Sequence, residues 1–179
     1  MIRFRATPFK IGTWTVIRFP QTASAQLPSR GMTMISGSLN GVPLRVALEP
    51  DGKGSHWFKL DGELRKIADV TEGRPVDLAV ESTKLWPEPE IPADLQKALA
   101  ADVKARALWA DITPMARWDW LRWIRATKQQ ETRTRRVDVA LSKLKSGDRR
   151  PCCFNRTMCT EPYVSKNGVL LDPAASSNA

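Results

Sequence analysis

Residues 83–92, TKLWPEPEIP, constrain the fold of this chain more than any other stretch. Pro87, Pro89 and Pro92 deny the backbone the N–H groups that a helix interior or a central strand needs, and they hold it extended. The pattern of apolar residues changes across this segment. Before it, apolar and polar residues alternate with the period of a strand; after it, they recur every three or four residues. The expectation is an α+β chain with a β-barrel domain at 1–82, a Pro-rich linker at 83–91, a helical domain at 92–150 and a Cys-containing tail at 151–179.

The first half reads as short strands and tight turns. Residues 2–6 and 13–19 are strands; in the second, Trp14, Val16 and Arg18 share one face, while Thr13, Thr15, Ile17 and Phe19 share the other. Pro20 to Pro28 reads as a polar loop. In MTMISGSLNGVPLRVAL, Asn40-Gly41 lies between two alternating runs, and both residues tolerate positive φ, so a hairpin is predicted there. Asp51-Gly52-Lys53-Gly54 turns the chain into a strand from His56 to Leu60. Asp61 caps a short helix, Glu63 to Ala68, and Gly73-Arg74-Pro75 leads to a last strand, Val76 to Glu81. About six strands with tight turns predict a small closed barrel.

Pro92 opens three to four helices: Ala93 to Ala101, Lys104 to Ala110, and two more within Ile112 to Pro151. Thr113 is an N-cap and Pro114 fits the first helical position. Trp120, Trp123, Ile124 and Thr127 form one stripe. Trp118 lies off it, among Asp119, Arg122 and Arg125; it either pairs with Arg122 as a surface cation–π contact or docks against the barrel, and docking is the expectation. The next helix runs from Gln130 to Lys145 and stops at Gly147. Its stripe is Val137, Ala140, Leu141 and Leu144. Arg133 projects onto that same face, whereas Arg135 and Arg136 point elsewhere.

The segment ATKQQETRTRRVDVALSKLKSG resembles the C-terminal helical motif of the YdeI/OmpD-associated, or bacteriocin-protection, family, with Glu131, Thr132, Arg133, Arg135 and Arg136 matching and Thr127 interrupting the Ala-Lys element. WTVIRFP, GSLNGVPLRVAL and the G-x-P-V stretch resemble the β-barrel domain of unknown function 1905 that often precedes it. The resemblance implies a bacterial protein with a link to bacteriocin or envelope-stress protection, and it implies a barrel. RRPCCFNR resembles the way a subset of that family ends.

The formal charge is +9 and is unevenly placed, because residues 121–150 carry ten basic and three acidic groups. Two readings follow: a solvated helix face, or a face that meets an anionic partner. Thr13, Thr15 and Arg18 break the apolar run near the N-terminus, which excludes it as a signal peptide. No stretch approaches the roughly 18–20 apolar residues of a membrane span. An odd number of cysteines fits a reducing compartment, and the expected location is the cytoplasm.

Chemistry is sparsely signalled. His56 is the sole histidine, alternates with Phe58, and reads as structural or surface. Cys152, Cys153 and Cys159 lack a fourth ligand and the usual spacing of a zinc site, so no metal and no cofactor is expected. A thiol beside Arg149, Arg150 and Arg156 would have a lowered pKa, which leaves a reactive-thiol tail as a third functional reading. The tail's end, DPAASSNA, reads as disordered. No phosphate loop, nucleophile elbow or zinc-protease helix is present, and an enzyme is not expected. Arg133 is expected to meet a carboxylate on a neighbouring helix, with Asp119 or Asp111 the nearest choices. Its alternative is an anion site with Lys128 and Arg136.

Two functional classes remain open. One is a non-enzymatic binding or stress-protection protein whose basic helices contact nucleic acid or an acidic protein, through Lys128, Arg133, Arg135, Arg136, Arg149 and Arg150 above all, with Arg122, Arg125, Lys143 and Lys145 beside them. The other is a small-ligand barrel or protein-interaction adaptor, with Arg18, Arg45, His56 and Trp57 facing a cavity, and with Trp14 and Trp86 also lining the barrel.

Overall fold

The computed structural model describes residues 1–127, 129–151, 163–165 and 167–173. These form two compact units: Met1–Leu85 together with the described tail residues 163–173, and the described residues from Trp86 to Pro151.

The first unit is a seven-stranded antiparallel sheet of β1 (Ile2–Ala6), β2 (Phe9–Ile11), β3 (Trp14–Arg18), β4 (Thr33–Leu39), β5 (Val42–Pro50), β6 (His56–Lys59) and β7 (Val76–Ser82). Their order in the sheet is β1-β7-β4-β5-β6-β3-β2. The two edge strands are therefore consecutive in the chain, joined only by Thr7 and Pro8. Three residue steps span at most about 10 Å, so the edges must approach and the sheet must curl. Phe4 on β1 accordingly meets Phe19 beyond β3, with ring centroids 4.5 Å apart.

This corrects the expected closed barrel of about six strands. The sheet is a curled half-barrel of seven, and no ladder joins β1 to β2 among the described residues. The additional strand is β2, whose three residues are too few to show an alternation. The Asn40-Gly41 hairpin forms as predicted, with φ of 48° and 82° and Leu39 opposite Val42. Pro43 is tolerated in β5 because its ring nitrogen, one residue past the hydrogen-bonded pair beside the turn, faces away from β4.

The half-barrel is filled by Ile17, Phe19, Ile35, Leu39, Leu44, Leu48, Phe58, Leu78 and Val80, among others. The run read as a polar loop instead holds a helical turn, α1 (Gln21–Ser24), which buries Ala23 and Ser24, and Leu27 follows it into the core. A second short helix, α2 (Gly62–Ile67), is capped by Asp61, whose carboxylate accepts the Leu64 N–H at 2.7 Å.

The outer face of β2, β3 and β6 is also apolar, with Ile11, Trp14, Val16 and Trp57 buried. The described tail residues 163–165 and 167–173 lie across it. Val164 and Leu170 bridge each other, Tyr163 packs edge-on against Trp14 at 5.0 Å, and Leu170 donates to the Asp51 carbonyl. Asp172, expected in a disordered end, is held by Lys53 at 3.0 Å and by Arg18; residues 174–179 lie outside the described residues.

Among its described residues the second unit has four helices: α3 (Ala93–Ala100), α4 (Val103–Asp111), α5 (Pro114–Arg125) and α6 (Gln130–Lys145). Asp102 and Thr113 cap α4 and α5 by accepting from the N–H groups of Ala105 and Ala116. Leu95, Leu99, Trp109, Ile112, Trp120, Leu121, Ile124, Val137, Ala140 and Leu144 form its core. The proline-rich approach is packed here too: Pro89 is buried, and the Trp118 indole donates to the Pro87 carbonyl at 2.9 Å. No helix among the described residues is long and apolar enough to cross a membrane.

Candidate functional site

Several basic residues of the helical unit act as ties between helices. Arg133 forks onto Asp94 of α3, with Nε to Oδ2 at 2.7 Å and Nη2 to Oδ1 at 3.0 Å. The kind of partner is the expected one, a carboxylate on a neighbouring helix; its identity is not. Arg133 sits near the start of α6, beside the start of α3, while Asp111 and Asp119 face the other end. There Arg149 binds Asp111 at 2.7 Å, and Arg150 lies 3.9 Å from the buried Asp119. Lys145 pairs with Asp102 and Lys143 with Asp148.

Arg136 does not extend an anion site with Arg133. Its guanidinium donates to the Trp123 carbonyl at 2.7 Å, stacks over that indole at 5.4 Å, and so closes the C-terminal end of α5. Arg122 is buried, and Arg125 is exposed. Arg135 is exposed and has no ion pair among the described residues. Lys128 and all three cysteines lie outside the described residues, so the tail's thiol chemistry has no geometry to read.

The Arg133 fork holds the Asp94 carboxyl below its ordinary value of 3.8, mainly through the hydrogen bond itself. A depressed folded value stabilises the fold at neutral pH, and the contribution is lost as pH falls below about 4. Arg133→Leu is expected to cost about 1 kcal/mol at pH 7, since the pair is half exposed, and to flatten the acid limb of stability. Urea unfolding at pH 7 and pH 3 checks this; an unchanged pH dependence would refute the role given to the fork.

The four residues proposed for a barrel cavity are not gathered in one. His56 is buried and points inward: Nε2 meets the Gly31 carbonyl at 2.9 Å and Nδ1 meets the Ser24 hydroxyl at 2.6 Å. Since a carbonyl only accepts, Nε2 is the donor to Gly31. Trp57 points to the opposite face, stacked with Trp14 at 6.0 Å and donating to the Pro50 carbonyl. Arg18, its register partner, lies against Phe9 and Asp172. Arg45 is exposed on β5. Trp14 is likewise on the outer face, and Trp86 belongs to the helical unit.

Arg45 does line a site that the sequence pattern hides. β5 and β6 pair only at Glu49–Trp57 and Pro50–His56, then part. The seam between them holds a depression of about 280 Å³, which α2 walls on one side. Leu44, Val46, Phe58 and Leu64 form its floor and Ile67 its lip, 61% exposed despite its aliphatic side chain. Arg45, Lys59, Asp61 and Glu63 stand around it. The one sequence cue is Ile67, apolar where a short surface helix would be polar.

Against known families, residues 3–80 match the model described as domain of unknown function (DUF1905). Residues 88–147 match the model described as Bacteriocin-protection, YdeI or OmpD-Associated. No curated protein matches the chain.

Proposed function

The chain is a DUF1905 region followed by a YdeI/OmpD-associated region, and on that premise we propose that it acts by holding another protein, without a catalytic step. The observation that carries this reading is the β5–β6 seam with Ile67 exposed at its lip. A depression that sets Leu44, Val46, Phe58, Leu64 and Ile67 among charged side chains suits one apolar side chain of an extended partner segment, with the partner's polar flanks meeting Arg45, Lys59, Asp61 and Glu63. The matched family's description names an association, with OmpD, which agrees with a binding role.

The test is selection of binders from a random dodecapeptide library on the full chain, followed by titration of the recovered peptides. The expected result is micromolar affinity that falls at least tenfold in Ile67→Lys, with the melting temperature unchanged because the side chain is exposed. Peptides that bind equally well to Ile67→Lys and Arg45→Glu would place the contact elsewhere.

The alternative, an anion-binding helical face, makes a different prediction. Arg133, Lys143, Lys145, Arg149 and Arg150 are each paired with a carboxylate. Binding to a mixed-sequence duplex is therefore expected only at low salt, with a log–log salt slope corresponding to about two phosphate contacts or fewer. A slope of about six or more would make nucleic acid the primary partner and displace the seam reading.

A further inference from the structure

The outer face of β2, β3 and β6 is a groove with an occupant, and that occupant reveals the groove's chemistry. Tyr163 enters at one end: its hydroxyl accepts the Thr13 N–H at 3.2 Å and its ring meets Trp14 edge-on. Gly12 (φ 53°) is glycine because a Cβ there would lie 1.9 Å from the Tyr163 oxygen. In the middle, Val169 rides over Gly52, where a Cβ would come within 2.7 Å of it, and Leu170 is fully buried with its N–H on Asp51. At the far end Asp172 sits between Arg18 and Lys53, and Lys53 holds its carboxyl below the ordinary range.

Such an interface is peptide-like. It has an aromatic anchor, an aliphatic centre and the Asp172 side-chain carboxylate at its far end, on a surface whose β3–β6 pairing includes none of its residues. Among the described residues its bond to the rest of the unit is one backbone hydrogen bond, Leu170 to Asp51, and side-chain contacts, where an integral strand would form a ladder. Eleven residues, 152–162, separate it in sequence from Pro151.

We propose that this groove is a docking site for the tail segment 163–173 as such, so that the same segment of a second copy of the chain can seat there in place of the resident one. The resident segment wins at micromolar protein, because its tether gives it an effective concentration on the order of millimolar. A copy whose own segment cannot seat accepts a neighbour's.

Two full-length variants test this together. Gly12→Ala blocks the groove and leaves the segment intact. Asp172→Arg spoils the segment, by facing Arg18 and Lys53, and leaves the groove intact. Each alone is expected to be a monomer whose Leu170 and Leu171 amides exchange at least tenfold faster than in the unaltered chain, with sheet amides still protected. Mixed at equal concentration, they are expected to sediment as a one-to-one heterodimer, with protection restored at Leu170 and Leu171 of the Gly12→Ala chain only. A mixture that stays monomeric with both segments unprotected overturns the proposal. So does wild-type protection in the single variants, and so does unfolding of the sheet in either one, which would make the segment an integral part of the core.

Discussion

Gly37→Ala is expected to unfold the sheet unit. Gly37 sits in β4 between Leu44 of β5 and Val80 of β7, at φ 155°. A Cβ there would fall 2.0 Å from the Ala79 carbonyl oxygen and 2.8 Å from the Val80 Cα. These are backbone atoms of a paired strand, so no rotamer change relieves the clash. β7 would have to move away, and it carries Val76, Leu78 and Val80 into the core. The cost should be about 3 kcal/mol or more, at the top of the range for overpacking, and the melting temperature should fall by more than about 10 °C. Gly41 is the control: φ is 82°, but nothing lies within 4 Å of a Cβ there, so alanine costs only the left-handed backbone, about 1–2 kcal/mol. Thermal melts of the two variants decide the matter. A Gly37→Ala protein as stable as the Gly41→Ala protein would show that β4 and β7 are not packed as described.

In the helical unit the largest loss is expected from Trp120→Ala. Trp120 is fully buried, meets the Trp123 ring edge-on at 6.0 Å and donates its indole N–H to the Arg149 carbonyl at 3.3 Å. Truncation removes the largest buried side chain of that core and unties the residues that follow α6. The expected cost is about 3–5 kcal/mol. Trp120→Phe keeps most of the buried ring and loses the hydrogen bond, whose acceptor lies near solvent, so about 1–2 kcal/mol is expected. Helix content followed through urea unfolding separates them. A loss under about 1 kcal/mol for alanine would mean that the site collapses around the cavity.

What the sequence discloses here follows how local each feature is. Asn40-Gly41 and the Thr113 cap rest on adjacent residues, and they form as predicted. The alternation of His56 with Phe58 correctly pairs them, since both are buried on the inward side. β2 escapes notice because three residues carry no period, and α1 because Ala23 and Leu27 stand singly in a polar run. The partner of Arg133 depends on which end of α6 lies by α3, which no spacing encodes. The β5–β6 seam is subtler still: both strands are regular, and the opening arises only from where their pairing stops. The tail's role is illegible because its contacts are with residues roughly 120 to 150 positions earlier.

That separation has a consequence for synthesis. A ribosome delivers Thr13 long before Tyr163; at about 5–20 residues per second the interval is roughly 8–30 s. β1 must likewise wait for β7. The first unit to begin emerging is thus the last to be finished, and throughout that time the nascent chain carries Trp14 without its Tyr163 cover. A translation product that ends before Tyr163 would keep that aromatic face uncovered permanently, which marks it for chaperone capture or aggregation.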